Sequence, residues 1–315
     1  MTEKNMSKLI SILVPCFNEQ DSISGFMATI SPVLESLQEN VEILFIDDGS
    51  TDETLKLLSR LAGQNQQVKV ISFSRNFGKE AALTAGLDLV TGDAVIPIDV
   101  DLQDPVELIP QMIEKWKAGA DVVLARRLDR PSDSFIKRLA VNIFYKLISF
   151  LSSTPIPRDV GDYRLMDRKV VDSICLLPER NRFMKGILSW PGYETEVIDF
   201  SRPDRATGRS KWRSWKLFNY ALDGIFSFST APLRMWTYAG LVLSFFSLCY
   251  LIFIVAKTLI FGVDLPGYAS VVSIILFFSG INLVGLGILG EYLGRVFIEV
   301  KQRPVYLIKR KIGFD

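Results

Sequence analysis

The sequence predicts an α/β fold, a mostly parallel sheet with helices on both faces, followed by amphipathic segments and two helices of membrane length. Three observations predict it. The first 125 residues alternate short apolar runs with stretches of helical spacing, the pattern of repeated βα units. Polar residues gather just after those runs, at Asn18-Glu19, Asp47-Asp48, Ser74-Arg75-Asn76, Asp99 to Asp101 and Arg126-Arg127, where open α/β sheets bind ligands. Near the C-terminus, Trp236–Ala256 and Tyr268–Gly290 run for 21 and 23 residues without a charge.

The elements follow in order. Leu9–Pro15 is a continuous apolar run and reads as the first buried strand, and Glu19–Leu37 has helical spacing. Val41–Ile46 is a second strand ending in Asp47-Asp48-Gly49-Ser50, and Thr51-Asp52-Glu53 opens a helix through Leu61, with acidic residues where the helix dipole favours them. Val68–Phe73, Ala94–Ile98 and Asp121–Ala125 are further strands, separated by helices over Lys79–Val90 and Val106–Lys117. No GxGxxG follows the first strand and no GxxxxGK[ST] occurs, which argues against dinucleotide-binding and P-loop chemistry.

Beyond the sheet, Phe135, Leu139, Ile143, Phe144, Leu147, Ile148 and Leu151 form an apolar stripe over residues 134–153. It fits either a core-facing helix or a helix lying in the membrane interface. Residues 212–228 are rich in Trp, Phe, Lys and Arg directly before the first uncharged stretch, and read as interfacial. Each uncharged stretch can cross a hydrocarbon core of about 30 Å, and the short linker Lys257–Gly267 makes them an antiparallel hairpin. Seven Lys/Arg lie in 202–234 and six in 291–315, against one Lys and one Asp in the linker, so the positive-inside rule puts both ends in the cytoplasm. The expected organisation is a globular domain over 1–230 that includes the interfacial helices, a transmembrane hairpin over 231–295, and a basic cytoplasmic tail over 296–315. The expected location is the inner membrane, as a multi-pass protein.

Composition narrows the chemistry. There is no histidine, which excludes Ser-His-Asp and Cys-His catalysis and His-ligated zinc. Cys16, Cys175 and Cys249 show no paired spacing, which fits a reducing compartment. Met1–Lys8 is polar and the apolar run after it is strand-length, so no signal peptide is expected. The net charge of +1 hides an asymmetry: residues 1–125 carry 9 Lys/Arg and 19 Asp/Glu, the remainder 27 and 16. The second half therefore faces something anionic, and the uncharged stretches favour membrane headgroups over nucleic acid.

The densest chemistry is Asp99-Val100-Asp101-Leu102-Gln103-Asp104-Pro105, directly after the strand Ala94–Ile98. Carboxylates so close repel one another and need a positive partner. Oxygen-only ligands suit Mg²⁺ or Mn²⁺ held by one or two carboxylates and substrate phosphates. A polar turn with an Asp-Pro helix start is the plain alternative.

Several strings together resemble a known family. They are Val14-Pro15-Cys16-Phe17-Asn18-Glu19, Ile46-Asp47-Asp48-Gly49-Ser50-Thr51-Asp52, Arg75-Asn76-Phe77-Gly78-Lys79-Glu80, the Asp99–Pro105 string, Gly161-Asp162-Tyr163-Arg164-Leu165-Met166 and Gly208-Arg209-Ser210-Lys211. In this order, with two C-terminal spans, the chain resembles the family 2 glycosyltransferases of GT-A fold. Within them it is similar to the polyisoprenyl-phosphate glycosyltransferases, relatives of dolichyl-phosphate mannose synthase, and most of all to their bactoprenol glucosyltransferase branch. The Gln-x-x-Arg-Trp motif of processive synthases is absent.

The resemblance implies inverting transfer of a hexose, glucose from UDP-glucose first, to undecaprenyl phosphate on the cytoplasmic leaflet, for O-antigen or other envelope glycan modification. Aminoarabinose, galactose and N-acetylhexosamine are alternative sugars. It implies donor binding by Pro15, Asn18, Glu19, Asp48, Lys79, Asp99, Arg126, Arg205, Ser210 and Lys211, with Mg²⁺ or Mn²⁺ on Asp99, Asp101 and Gln103. The stretch around Arg205, Ser210 and Lys211 reads as a phosphate clamp or as plain headgroup attraction. Catalytic roles fall to Asp162, Asp101 and Arg164. Asp162 is either a general base or a positioning group, since a phosphate acceptor is already ionised near neutral pH, and Arg164 is expected on the acceptor phosphate. Partners are the donor, the lipid acceptor, the bilayer and further copies of the chain as a homo-oligomer, a tetramer by the resemblance; no nucleic acid is expected. A translocator component would need polar groups in the spans, which carry little beyond Asn282 and scattered Ser, Thr and Tyr. A catalytically silent sensor would not keep the acidic cluster.

Overall fold

The computed structural model describes residues 8–128, 160–200, 226, 229–261 and 267–314. Its elements are β1 (Leu9–Cys16), α1 (Ile23–Glu35), β2 (Asn40–Asp47), α2 (Thr54–Gln64), β3 (Val68–Phe73), α3 (Lys79–Leu89), β4 (Ala94–Pro97) and a 3₁₀ turn (Val106–Leu108) leading into α4 (Ile109–Lys117). Then come β5 (Val122–Arg127), β6 (Val160–Asp167), α5 (Arg168–Cys175), α6 (Met184–Ile187), β7 (Thr195–Phe200), α7 (Ala231–Phe261), α8 (Tyr268–Lys301) and β8 (Ile308–Ile312). The strands form one sheet in the order β7-β5-β6-β4-β1-β2-β3-β8. β4-β1-β2-β3 are parallel neighbours, as are β5 and β7; β6 runs antiparallel between β4 and β5, and β8 runs antiparallel to β3.

Side chains alternate across the strands, so each strand feeds two cores. On one face Ile10, Ile12, Val14 and Phe45 pack with Phe26 of α1, Leu58 of α2 and Met112 of α4. On the other, Leu13, Leu44 and Ile71 pack with α3, with Val170 and Ile174 of α5 and with Met184 of α6. Residues such as Phe26 and Phe45 have no exposed surface, and each such burial is worth about 1.5–3 kcal/mol.

Two helices begin later than the sequence predicts, for one shared reason. Residues after β1 and after β2 are spent tying those loops together. The Asn18 carboxamide Oδ1 accepts from the Thr51 amide at 2.8 Å, Asp52 Oδ2 from the Gln20 amide at 3.3 Å, and the Thr54 hydroxyl from the Glu19 amide at 2.9 Å. α1 therefore starts at Ile23 and α2 at Thr54.

The C-terminal segment is not a separate tail. α8 continues past the uncharged stretch to Lys301, and residues 308–312 return to the sheet as its edge strand β8. The Tyr306 ring stacks on Phe73 with centroids 5.3 Å apart, and its hydroxyl donates to Asp88 at 2.9 Å. The basic residues Lys309, Arg310 and Lys311 thus belong to an edge strand of the globular domain.

α7 and α8 are long and apolar enough to cross a membrane. Their large side chains, Phe245, Phe246, Ile252 and Leu286 among them, point away from the protein. The two helices meet where Gly285 faces Trp236: a Cβ on Gly285 would overlap the indole, so glycine is what allows this approach. The segments 134–153 and 212–228, expected as interfacial helices, lie outside the described residues apart from Phe226.

Candidate active site

The carboxyl ends of β1, β2 and β4 and the start of α3 surround a cavity of about 300 Å³. Of the residues expected at the site, Pro15, Glu19, Asp48, Lys79, Asp99 and Asp101 line it. Cys16, Phe17, Asn76, Gly78, Ala82 and Val100 line it as well. These six lie within or beside the strings that carry the family resemblance, and that is the signal that marks them in the sequence.

Asp48 sits at the end of β2, buried, and closes the cavity by accepting from the Phe77 amide at 2.6 Å and the Gly78 amide at 2.9 Å. Burial raises its pKa, and those two amide bonds offset only part of the rise. A carboxylate has about four lone-pair sites, so two remain for a ligand. Gly49 next to it has φ +68°, and a Cβ there would overlap the Arg75 backbone. This position needs glycine if the loops after β2 and β3 are to touch.

Asp99 and Asp101 stand on the loop after β4. Leu102, between Asp101 and Gln103, has φ +54°, a left-handed conformation that costs a branched residue about 1–2 kcal/mol. The Gln103 amide donates to Asp101 Oδ1 at 3.1 Å, closing the turn that leaves Asp101 exposed. The far end of the loop is pinned by the Tyr163 hydroxyl, which donates to the Pro105 carbonyl at 2.8 Å. Gln103 is not a lining residue.

Lys79 opens α3 and bridges two carboxylates. Its Nζ lies 2.7 Å from Asp99 Oδ1 and 2.9 Å from Asp162 Oδ2. Burial works against the ammonium, but Asp162 and Asp99 outweigh it and hold its pKa well above the ordinary lysine value. Burial likewise works against the Asp162 carboxylate; Lys79, then Arg164 and Lys185, outweigh it and hold that pKa below the usual range. Glu80 has the opposite fate. Burial first, and the charge of Asp162 second, push its pKa up to about 7.

Arg164, expected on the acceptor phosphate, is held from below by its own strand. It is 2% exposed on β6, its Nη2 donates to the Gly161 carbonyl at 2.8 Å, and its Nε has no partner among the described residues. Burial lowers its pKa to about 10, with Asp162 opposing, so it remains a cation at neutral pH behind Asp162. Arg126 is turned toward β7, where its Nε and Nη2 donate to Asp199 at 2.6 and 2.9 Å. Asn18 is exposed and ties the loops together, outside the cavity lining. Arg205, Ser210 and Lys211 lie outside the described residues.

Oxygen ligands for a divalent cation are present. Among the described residues no three His, Cys, Asp or Glu side chains form a metal cluster. The carboxylates that the acidic loop brings to the cavity lining are Asp99 and Asp101, and oxygen ligands of this kind could hold Mg²⁺ or Mn²⁺.

Comparison with known proteins identifies the family. Residues 11–175 match the family described as Glycosyl transferase family 2. The chain is 54% identical over 301 residues to the SfII prophage-derived bactoprenol glucosyl transferase of Shigella flexneri, covering 96% of this chain and 97% of that one. It is 52% identical over 301 residues to the prophage bactoprenol glucosyl transferase homolog of Escherichia coli K12, covering 96% and 98%. Among solved structures it is similar to glucosyl-3-phosphoglycerate synthase from Mycobacterium tuberculosis, at 21% identity over 70% of this chain and 78% of that one, with a TM-score of 0.46. The family match over half of the chain and the near-full-length relatives lead to one conclusion: this chain belongs to glycosyltransferase family 2.

Proposed function

We propose that the chain transfers glucose from UDP-glucose to undecaprenyl phosphate, with inversion at the anomeric carbon, on the cytoplasmic face of a membrane. The observation that carries this reading is the 54% identity, over nearly the whole chain, to a bactoprenol glucosyl transferase. The cavity chemistry fits it. Asp48 and Glu19 supply acceptors for ribose hydroxyls and the uracil N–H, and the exposed Phe17 ring supplies an apolar wall. Asp99 and Asp101 would hold Mg²⁺ or Mn²⁺, which when bound supplies Lewis-acid neutralisation of the leaving diphosphate.

The acceptor brings its own nucleophile. A phosphate monoester loses its second proton near pH 6, so an oxyanion is present at neutral pH without a strong base. Asp162, kept ionised by Lys79 and Arg164, is suited to orient the acceptor and to take a residual proton. Arg164, buried behind it, acts as a positioning residue for Asp162. Attack opposite the leaving diphosphate converts an α-linked donor into a β-linked lipid phosphate sugar. The basic residues flanking α7 and α8 favour both chain ends in the cytoplasm, where a soluble donor and a headgroup-level phosphate meet.

The direct test uses the full chain in lipid nanodiscs with radiolabelled UDP-glucose and undecaprenyl phosphate. Label should appear in an organic-extractable lipid that mild acid cleaves to glucose. Transfer from UDP-galactose or a UDP-N-acetylhexosamine, with none from UDP-glucose, would overturn the sugar assignment.

A further inference from the structure

A second cavity, of about 680 Å³, lies between the globular domain and the end of α8. Its walls come from three places: the end of α8 and the loop 303–307 that follows it, the loop 180–182, and the outer side of the segment 75–81. Five cationic side chains line it, Arg75, Arg180, Arg182, Lys301 and Arg303, against a single carboxylate, Glu80. None of the five is ion-paired to a carboxylate among the described residues. Their contacts are instead with backbone carbonyls and ring faces: Arg180 Nε donates to the Arg303 carbonyl at 3.0 Å, Arg182 Nη2 to the Leu177 carbonyl at 2.7 Å, and Arg75 to the Asn76 carbonyl at 2.8 Å. The Arg75 guanidinium lies 4.0 Å from the Phe77 ring and the Lys301 ammonium 4.1 Å from the Phe297 ring.

Five like charges around one hollow repel one another, and the negative end of the α8 dipole does not favour an anion there. Side-chain charge is thus what the cavity offers. Guanidinium forks match phosphate oxygens in shape. The apolar remainder comes from the membrane helix itself, where Phe297 and Ile298 are about half exposed. Position agrees. α8 is uncharged through Gly290, and Phe297 follows about 10 Å further along the axis at 1.5 Å per residue. The headgroup layer extends about 5–8 Å beyond the hydrocarbon core, and Lys and Arg side chains reach across such a gap.

We propose that this cavity binds the phosphate of an anionic membrane phospholipid, distinct from the acceptor, with the acyl chains along the apolar side of α8. The proposal rests on the membrane reading given under Proposed function. It also ties lipid to catalysis, because one segment forms a wall of both cavities. Asn76, Gly78, Lys79 and Ala82 face the donor cavity, while Arg75, Phe77, Glu80 and Ala81 face the second. Lipid held at Arg75 would steady the amides of Phe77 and Gly78 that bind Asp48.

The test uses the full chain purified in detergent, with phosphatidylglycerol and phosphatidylcholine as probes and bound lipid counted by native mass spectrometry. Wild type should retain phosphatidylglycerol in preference to phosphatidylcholine. The variant K301Q/R303Q, which removes two charges with no carboxylate partner among the described residues, should bind phosphatidylglycerol roughly thirtyfold more weakly, and the charge-keeping K301R/R303K should keep most of the wild-type binding. In nanodiscs, phosphatidylglycerol should lower the KM for UDP-glucose of wild type and not of K301Q/R303Q. Unchanged binding by K301Q/R303Q, or equal loss in K301R/R303K, overturns the proposal. So does displacement by inorganic phosphate as readily as by lipid, or mole-for-mole displacement by undecaprenyl phosphate, which would make the cavity the acceptor's. Glucose transfer is assayed on the same samples: lipid retained without transfer would overturn the proposed reaction and leave this site standing.

Discussion

The Lys79 ammonium lies 2.9 Å from the Asp162 carboxylate, on β6, and by the same nitrogen 2.7 Å from Asp99 on the loop after β4. A single cation thus joins the carboxylate expected to meet the acceptor to one expected to meet the donor's metal. Without it, two carboxylates would face each other across the cavity wall. Lys79→Met should lower kcat by roughly 10²–10³-fold, the scale of losing one preorganised charge, with Lys79→Arg recovering part of it. Full activity of Lys79→Met would show that the bridge has no catalytic role.

If Asp99 and Asp101 hold a divalent cation as proposed, transfer depends on it. Activity should vanish in excess EDTA and return with Mg²⁺ or Mn²⁺, and Asp101→Asn should nearly abolish it while thermal stability stays within about 0.5 kcal/mol, as for exposed surface changes. Undiminished transfer in excess EDTA would contradict this reading of Asp99 and Asp101.

Asp162 separates positioning from base catalysis. For a positioning group, Asp162→Asn should slow transfer about tenfold to a hundredfold, against roughly 10²–10⁴ for a general base. The residual rate should rise as the acceptor ionises at about pH 6. A loss beyond about a thousandfold, with little recovery at pH 8, would instead mark an obligatory base. UDP-glucose affinity measured on the same variant separates either outcome from misfolding.

Glu80 gives the fold a pH dependence. Its folded pKa is about 7, raised above the ordinary 4.5 chiefly by burial. The unfolded chain therefore releases this proton first, and stability falls as pH rises from about 4.5 to about 7. Glu80→Gln should remove that slope, on the order of 3 kcal/mol across the window. Thermal melts at closely spaced pH values read it, and an unchanged slope in Glu80→Gln would assign the effect elsewhere.

Topology is checked in a cysteine-free background with single cysteines at Gly262 and Lys309. An impermeant thiol reagent added to intact cells should modify the first and spare the second. The opposite pattern would invert the membrane orientation.

Much of this protein is legible without coordinates. The five strands β1 to β5 are recovered to within about two residues, because buried parallel strands are written as unbroken apolar runs between polar loops. The membrane-length helices are equally legible, since a run of 21 or 23 uncharged residues has few other uses. The acidic strings mark the mouth of the cavity because chemistry collects at the strand ends. Three things depended on tertiary structure. β6, β7 and β8 carry charged or polar residues and pair with partners distant in sequence, so no local pattern announces them. β8 in particular turns an apparent basic tail into part of the sheet. The roles of individual charges were also non-local: Asn18 and Arg126 sit at strand ends as expected, yet they are engaged by Thr51 and Asp199. Lys79, Asp162 and Arg164 become one electrostatic unit only when β6 slides between β4 and β5. Spacing along the chain specifies which face of an element a side chain occupies; which charge it meets there is decided by the order of strands in the sheet.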